Sequence, residues 1–398
     1  MLPNTFISSP CALSLLLGLF ALTGLLIAPT QSWAQQSKMS AAAKRAADTV
    51  CGNRIVMLGE LPSHGESQAF QIKAQIVRRL VDRCGFDAVL FEAPIYDFLG
   101  FEMAAAKKKT ATSIQLDRAI GRFWLTRELA DWRLWLFERA TSGRLLLGGI
   151  DDQVSATSDY ARRVLPALSA ASLPPQTVSE CEQAIERNLY WRYDAVHPFD
   201  EAEQLRLQRC AADAASAQSR RKRINSYTPE QMMLDNLARY VSRQRGNPDA
   251  PDRDNAMYGN VLWYARRMPA GSKLIIWTST VHSARQQGKL PQLPLGARLA
   301  RRFGKRLAVI GFTALAGQSS MAAQPIRQLP QAPPESLEAR STDNNDAAAV
   351  FLDASALRRI GNVSSRLLGD FTSADWSGYF DAVIVIRHES APVFEPRQ

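Results

Sequence analysis

Five titratable side chains in this 398-residue sequence fall just past the ends of short apolar runs. Glu60 and His64 follow Ile55–Leu58 within the stretch RIVMLGELPSHG, and Glu92 follows Ala88–Phe91. Asp151 comes after Arg144–Ile150 (RLLLGGI), and His282 after Lys273–Thr278 (KLIIWT). If these runs are neighbouring parallel strands, the five groups meet at the carboxyl edge of one sheet, where open α/β folds hold their ligands. A histidine held by carboxylates suits hydrolysis without a covalent intermediate. The imidazole takes a proton from water as that water attacks a carbonyl carbon, while the carboxylates fix its tautomer and favour the imidazolium that forms.

Plainer roles exist for most of these groups. A lone strand-end histidine is commonly a structural hydrogen bonder, Glu60 could cap a helix beginning near Ser67, and Asp151 could be a turn carboxylate. Glu92 resists such a reading: four apolar residues precede it, and Ala93-Pro94 follow. Two histidines and two glutamates could also hold a divalent metal, although the sequence has no HExxH motif and the spacing selects no particular ion. No other cofactor is indicated. A serine nucleophile is disfavoured because no G-x-S-x-G elbow is present, and Ser63 and Ser279 carry no nucleophile signature.

The elements that must position these groups alternate in type. Helices are expected over about Ser67–Cys84, where Phe70, Ile76, Val77, Leu80 and Val81 recur near helical spacing, and over Phe123–Ala140. In the second of these, Trp124, Trp132, Trp135 and Leu136 are expected in the core as packing, not as a cofactor box. Near-continuous apolar strands alternating with helices predict an α/β fold: a mostly parallel sheet covered by helices on both faces. From 155 to 250 strand signals vanish, which predicts a helical subdomain inserted between two parts of the core, 35–154 and 251–398. The second part is expected to contain helices Arg253–Arg267 and Gly296–Phe303. Its expected strands are Lys273–Thr278, Arg306–Phe312, Ala349–Leu352 and Ala382–Ile386, with a loop over Gln324–Asp346.

Cys11 to Ile27 is almost wholly apolar and leads to the small-x-small run Ser32-Trp33-Ala34. This predicts a signal peptide over 1–34, cleaved near Ala34, and a periplasmic or secreted protein. The first residues lack Lys and Arg, which leaves an uncleaved anchor as the alternative. No transmembrane span is expected in the mature chain. Export would put Cys51, Cys84, Cys181 and Cys210 in an oxidising compartment. Cys51 and Cys84 each precede one of the first two strands, so Cys51–Cys84 is the preferred bridge. Cys181–Cys210 would then clip two helices of the middle segment, and buried free thiols are the alternative. The formal net charge of +10 comes mostly from arginine doublets such as Arg162-Arg163, Arg266-Arg267 and Arg301-Arg302. With no basic stripe interleaved with aromatics, nucleic-acid binding is not expected.

Taken together, these motifs resemble those of the erythromycin esterase family. LGELPSHG at Leu58–Gly65 resembles its Gly-Glu followed by His-Gly, and the strand ending at Glu92 resembles its next motif. Trp124, Glu128 and Trp135, GIDDQ at Gly149–Gln153 and RDNAMYGN at Arg253–Asn260 follow in the family's order. IIWTSTVH at Ile275–His282 is similar to its Trp-x-His-Asn-x-His strand end, and YFDAVIVI at Tyr379–Ile386 to its closing strand. The resemblance implies hydrolysis of a small-molecule ester or lactone, with His64 as the base that activates water and Glu60 and Glu92 in support. His282 would be the second late histidine, and Arg253 would steady charge on the carbonyl oxygen, with Asp151 beside the substrate. Two departures stand out. Leu61, Pro62 and Ser63 separate Glu60 from His64 where the family has two residues, and Ser279 and Thr280 replace the family's first late histidine and its asparagine. The alternative is a non-catalytic envelope protein whose inherited cleft binds a small molecule, metal or haem.

Overall fold

A computed structural model describes residues 33–107, 110–154, 158–221, 227–244, 246, 249–322, 324–343 and 346–396. Apart from Trp33 and Ala34, the expected signal peptide lies outside the described residues. Strands β1 (Ile55–Glu60), β2 (Ala88–Pro94), β3 (Leu146–Asp151), β4 (Leu274–Ser279), β5 (Leu307–Ser319), β6 (Arg327–Leu329) and β7 (Ala349–Asp353) come first. They are followed by β8 (Asn362–Leu368), β9 (Asp370–Asp375) and β10 (Ala382–Glu389). The main sheet runs β3-β2-β4-β1-β5-β10-β7, with β6 attached to β5. Its five inner pairings are parallel, whereas β7 and β6 are antiparallel additions. The chain lays β1, moves outward through β2 and β3, and returns to place β4 between β1 and β2. Its central strands are therefore β4, β1 and β5, and their carboxyl ends open on one edge.

Every central strand buries both faces, with side chains alternating between two cores as the period of two requires. Ile55, Met57, Leu90, Ile276, Val309 and Val383 point to one face. Val56, Leu58, Phe91, Trp277, Ile310 and Ile384 point to the other. Helices α1 (Trp33–Val50), α2 (Ser67–Cys84), α4 (Ser113–Ile120) and α5 (Ala130–Thr141) cover the second face. The first face receives α3 (Ile95–Ala106) and the four helices of the middle segment, α6 (Asp159–Ala170), α7 (Val178–Tyr190), α8 (Glu201–Arg221) and α9 (Pro229–Gln244). It also receives α10 (Arg253–Arg267) and α12 (Leu295–Phe303), which is separated from β4 by the single turn α11 (Thr280–Ser283). Among the described residues no helix is long and apolar enough to cross a membrane.

Both expected disulfides form. Cys51–Cys84 joins the end of α1 to the end of α2, and Cys181–Cys210 joins α7 to α8, each across a Cα separation of 5.3 Å.

Two expectations need correction, and one element was missed. The helix expected over Phe123–Ala140 begins only at Ala130, after a 3-10 turn at Arg127–Leu129. Arg133 turns back and donates to the Trp124 and Thr126 carbonyls (3.5 and 2.6 Å), so those groups are satisfied outside any helix. The loop expected over Gln324–Asp346 contains β6 and the short helix α13 (Leu337–Thr342), started by Ser336, whose hydroxyl accepts from the Ala339 N–H. The β8–β9 hairpin was not expected at all. Much of it, β9 above all, faces solvent, so it lacks the apolar run that marks the other strands.

Candidate active site

The carboxyl edge of β1 carries Glu60 as its last residue, and the following turn carries His64, whose amide donates to the Leu61 carbonyl at 3.1 Å. His64 is held at φ 49°, a left-handed conformation that non-glycine residues seldom adopt. Such an arrangement persists where surrounding contacts over-determine it, and it is concentrated at functional sites. Behind His64, Glu66 opens α2 as its N-cap residue, accepting from the Ser63 hydroxyl and the Gly65 amide. Burial pushes the Glu66 carboxyl up to about 7 against those two donors. Glu60 is thus not the helix cap that the sequence allowed; Glu66 and Glu389 occupy the start of α2, with Glu389 accepting from the Gln68 and Ala69 amides.

Glu60 is completely buried and faces His64 instead. Its Oε1 lies 2.9 Å from His64 Nδ1 and also accepts from Trp124 Nε1 at 3.0 Å. Its Oε2 pairs with the Lys73 ammonium, which donates to the Thr278 carbonyl at 3.2 Å and lies over the Trp277 ring. Lys73 is fully buried, and burial pulls its pKa well below the lysine range against the charge of Glu92. With Nδ1–H committed to Glu60, His64 is the tautomer whose Nε2 carries the lone pair. Nε2 faces Glu92 Oε1 at 3.7 Å, too long for a hydrogen bond. Phe123 stacks on the imidazole, with ring centres 5.0 Å apart.

Glu92 owes its aim to a bulge. β2 pairs Phe91 with Gly149 but Pro94 with Asp151, so one extra residue sits on the β2 side, a device that re-aims side chains. Gly149 is required opposite it, since a Cβ there would come within 2.6 Å of the Ala93 carbonyl oxygen. Glu92 Oε2 accepts from Thr278 Oγ1 (2.7 Å), Ser279 N (3.0 Å) and Ser279 Oγ (3.3 Å). Oε1 accepts from Arg253 Nη2 at 3.1 Å and lies 3.3 Å from His282 Nε2. Burial alone would raise this carboxyl, but its interactions with the His282 and His64 imidazoles outweigh it and hold Glu92 well below the usual range.

Arg253, the first residue of α10, is the hub of the other half of the site. It donates from Nε and Nη2 to Asp151 Oδ2 at 3.1 and 2.6 Å, besides its contact with Glu92. Burial opposes its charge, but Asp151 and Glu92 together raise its pKa above the ordinary arginine value. His282 Nδ1 meets Asp254 Oδ1 at 2.9 Å, and the same oxygen accepts from the Leu295 amide.

His282 Nε2 faces two groups with opposite demands. Arg253 Nη1 at 2.9 Å asks for a lone pair, whereas Glu92 Oε1 at 3.3 Å asks for a proton. The local charge settles the matter in favour of the proton, because a carboxylate lies within reach of each ring nitrogen, Glu92 at Nε2 and Asp254 at Nδ1. Burial works against the cation, yet Glu92 and Asp254 raise His282 to about 10. His282 is therefore an imidazolium near neutral pH, and it and Arg253 are two cations gathered on one carboxylate.

All six residues singled out in the sequence, Glu60, His64, Glu92, Asp151, Arg253 and His282, converge here. Lys73 was not anticipated; Trp124 was expected only as core packing, and Asp254 only as part of the RDNAMYGN motif, with no role in the site. The signal for Lys73 was present, since a lysine interrupts the otherwise apolar face of α2 between Phe70 and Val77. A bound metal fits poorly, because the carboxylate oxygens that would ligate it are already engaged by Arg253, Lys73, Thr278 and Trp124. Among the described residues no group of three His, Cys, Asp or Glu side chains is placed to hold an ion.

Comparison with known proteins agrees with this architecture. A protein from Bacillus cereus matches with a TM-score of 0.67 at 18% identity, covering 89% of this chain and 93% of that one. A succinoglycan biosynthesis protein matches with a TM-score of 0.66 at 14% identity, covering 91% and 99%. A mutant of the erythromycin esterase EreC in its open conformation matches with a TM-score of 0.63 at 18% identity, covering 88% and 94%. No curated protein sequence matches the chain. The erythromycin esterase family model matches residues 81–389, beginning downstream of Glu60 and His64 and taking in Glu92, Asp151, Arg253 and His282. With more than three-quarters of its length matched, the chain belongs to the erythromycin esterase family.

Proposed function

We propose that this protein is an exported carboxylic ester hydrolase that cleaves a small-molecule ester or lactone by direct attack of water. The observation that carries the proposal is the pairing of His64 Nδ1 with Glu60 at 2.9 Å while Nε2 faces Glu92 Oε1 at 3.7 Å, which leaves its lone pair available to a water beside the two. A water hydrogen-bonded to Nε2 gives a proton to His64 as its oxygen bonds to the carbonyl carbon. Glu60 stabilises the imidazolium that results. Charge developing on the carbonyl oxygen is met by Arg253 and the cationic His282. As the intermediate collapses, the carbon–oxygen bond to the leaving alkoxide breaks and His282 supplies that alkoxide with its proton. Membership of the esterase family supports a hydrolase, and the two disulfides support an exported chain because such bonds persist in oxidising compartments.

The test is a panel of esters and lactones, macrolactones of the erythromycin type included, assayed with wild type and His64→Asn. Asparagine tolerates positive φ, so the variant keeps its melting temperature while losing on the order of 10²–10⁴-fold in turnover. Undiminished hydrolysis by the variant removes His64 as the base. Ser279, where the resemblance implies a histidine, favours a second reading in which the cleft binds a ligand without turnover. A ligand that binds equally to wild type and His64→Asn, with no substrate in the panel hydrolysed, would establish it.

A further inference from the structure

The opposite edge of the sheet holds a second concavity, of about 470 Å³, lined by Arg54, Leu262, Ala265, Arg266, Arg302, Phe303 and Arg306. Four of the seven lining residues are arginines and none is acidic. Arg54 immediately precedes β1 and Arg306 immediately precedes β5, and the pairing of these strands holds them side by side, with the Arg54 amide donating to the Arg306 carbonyl at 2.9 Å. Arg266 and Arg302 come from the last turns of α10 and α12. Arginine in a last turn complements the helix dipole, which accounts for two of the four. It does not account for Arg54 and Arg306, nor for the convergence of all four on one hollow.

Neighbouring arginines show how the chain normally treats this side chain. Arg267 pairs with Glu102, and Arg298 pairs with Asp252 at 2.6 Å. Among the described residues, Arg54, Arg266, Arg302 and Arg306 form no ion pair with a carboxylate. Like charges gathered without counter-charge repel, and a bound anion relieves that repulsion. Guanidinium forks match phosphate oxygens two at a time. The hollow falls in the size range of small-molecule sites, roughly 300–1,000 Å³, and Leu262, Ala265 and Phe303 supply an apolar wall.

We infer that this pocket binds a phosphate-class anion, either a soluble phosphorylated compound or a phospholipid headgroup. It is separate from the candidate active site: α10 carries Arg253 at one end and Arg266 at the other, about 20 Å apart along its axis.

The experiment compares wild type with Arg266→Gln/Arg302→Gln, whose altered side chains are exposed at helix ends, and with Arg162→Gln/Arg163→Gln as a charge-matched control on α6. Pyrophosphate is titrated by calorimetry, and sedimentation is measured with phosphatidylglycerol vesicles and with neutral phosphatidylcholine vesicles. The pocket variant is expected to bind at least ten-fold more weakly than both wild type and the control. Binding of pyrophosphate alone assigns a soluble ligand, and binding of the anionic vesicles alone assigns a headgroup; either supports the site. Equal losses in the two variants would reduce the pocket to general surface charge, and no binding to either probe would overturn the proposal outright.

Discussion

At the scale of single residues, the site is a buried charge network whose members satisfy one another. Glu60 is the clearest case, since it has no exposure to water and is satisfied by His64, Trp124 and Lys73. Lys73→Met preserves the volume of the stem but leaves a carboxylate inside the protein without its cation. Breaking a buried pair from one side costs about 3–5 kcal/mol, so the urea midpoint falls markedly; an unchanged midpoint would mean that Glu60 is not held by that ammonium. His282 supplies a pH signature. Its folded pKa of about 10 stands above the unfolded histidine value of about 6.5. The stability it adds is therefore complete below about pH 6.5, declines from there, and is gone once pH has risen through about 10. Urea unfolding of wild type between pH 7 and 10 should show that decline, and His282→Asn should lack it. Catalysis should fade in the same direction, because the proton donor is lost as pH rises through about 10.

At the scale of elements, the apolar runs and the residues just beyond them were the legible part. β1, β2, β3, β4 and β10 were visible because strands buried on both faces leave unbroken hydrophobic sequence, and their ends located Glu60, Glu92, Asp151 and His282. The path between β3 and α10 was legible only as helix, for the same reason in reverse. What escaped was set by side chains reaching across the fold. Arg133 binds the Thr126 carbonyl outside the tryptophan-rich helix and Trp124 reaches Glu60, and no spacing rule announces a bond over 64 positions. The bulge that turns Glu92 was equally silent, although Gly149 opposite it left a trace. The Cys51–Cys84 bridge was readable from the strand starts, and its consequence is measurable. It closes a loop across a sequence separation of 33, which corresponds to about 3–4 kcal/mol of loop-closure entropy. Lys273 Nζ donates to the carbonyls of both cysteines at 2.9 Å, which ties the same ends a second time. Cys51→Ser/Cys84→Ser should therefore fold yet unfold at lower denaturant concentration, and adding reductant to wild type should reproduce the shift. A variant as stable as wild type would mean that Lys273 and packing alone hold the junction.

At the scale of the whole molecule, the question is whether the helices of 155–250 form a unit that folds apart from the sheet. Their apolar residues argue against independence. Leu165, Ile185, Leu207, Cys210 and Leu234 belong to the same core as Ile55, Leu90, Ile276 and Val383, with no separate cluster of their own. Polar contacts stitch the same boundary. Asn236 and Asn260 exchange amide hydrogen bonds at 2.8 and 3.2 Å, Asn260 donates to the Ile150 carbonyl, and Arg243 pairs with Asp152. Asp152 lies next to Asp151, so the helical segment is anchored one residue from the site. A shared core predicts a single transition in calorimetry, with equal calorimetric and van't Hoff enthalpies. Leu234→Ala in α9 and Ile276→Ala in β4 both empty fully buried positions, each at a cost of about 2–5 kcal/mol. Both should lower that one transition together, and His64-dependent turnover should vanish at the same temperature. Two separable transitions, with Leu234→Ala moving only the first and activity tracking only the second, would show that the helical segment is autonomous and that the site survives without it.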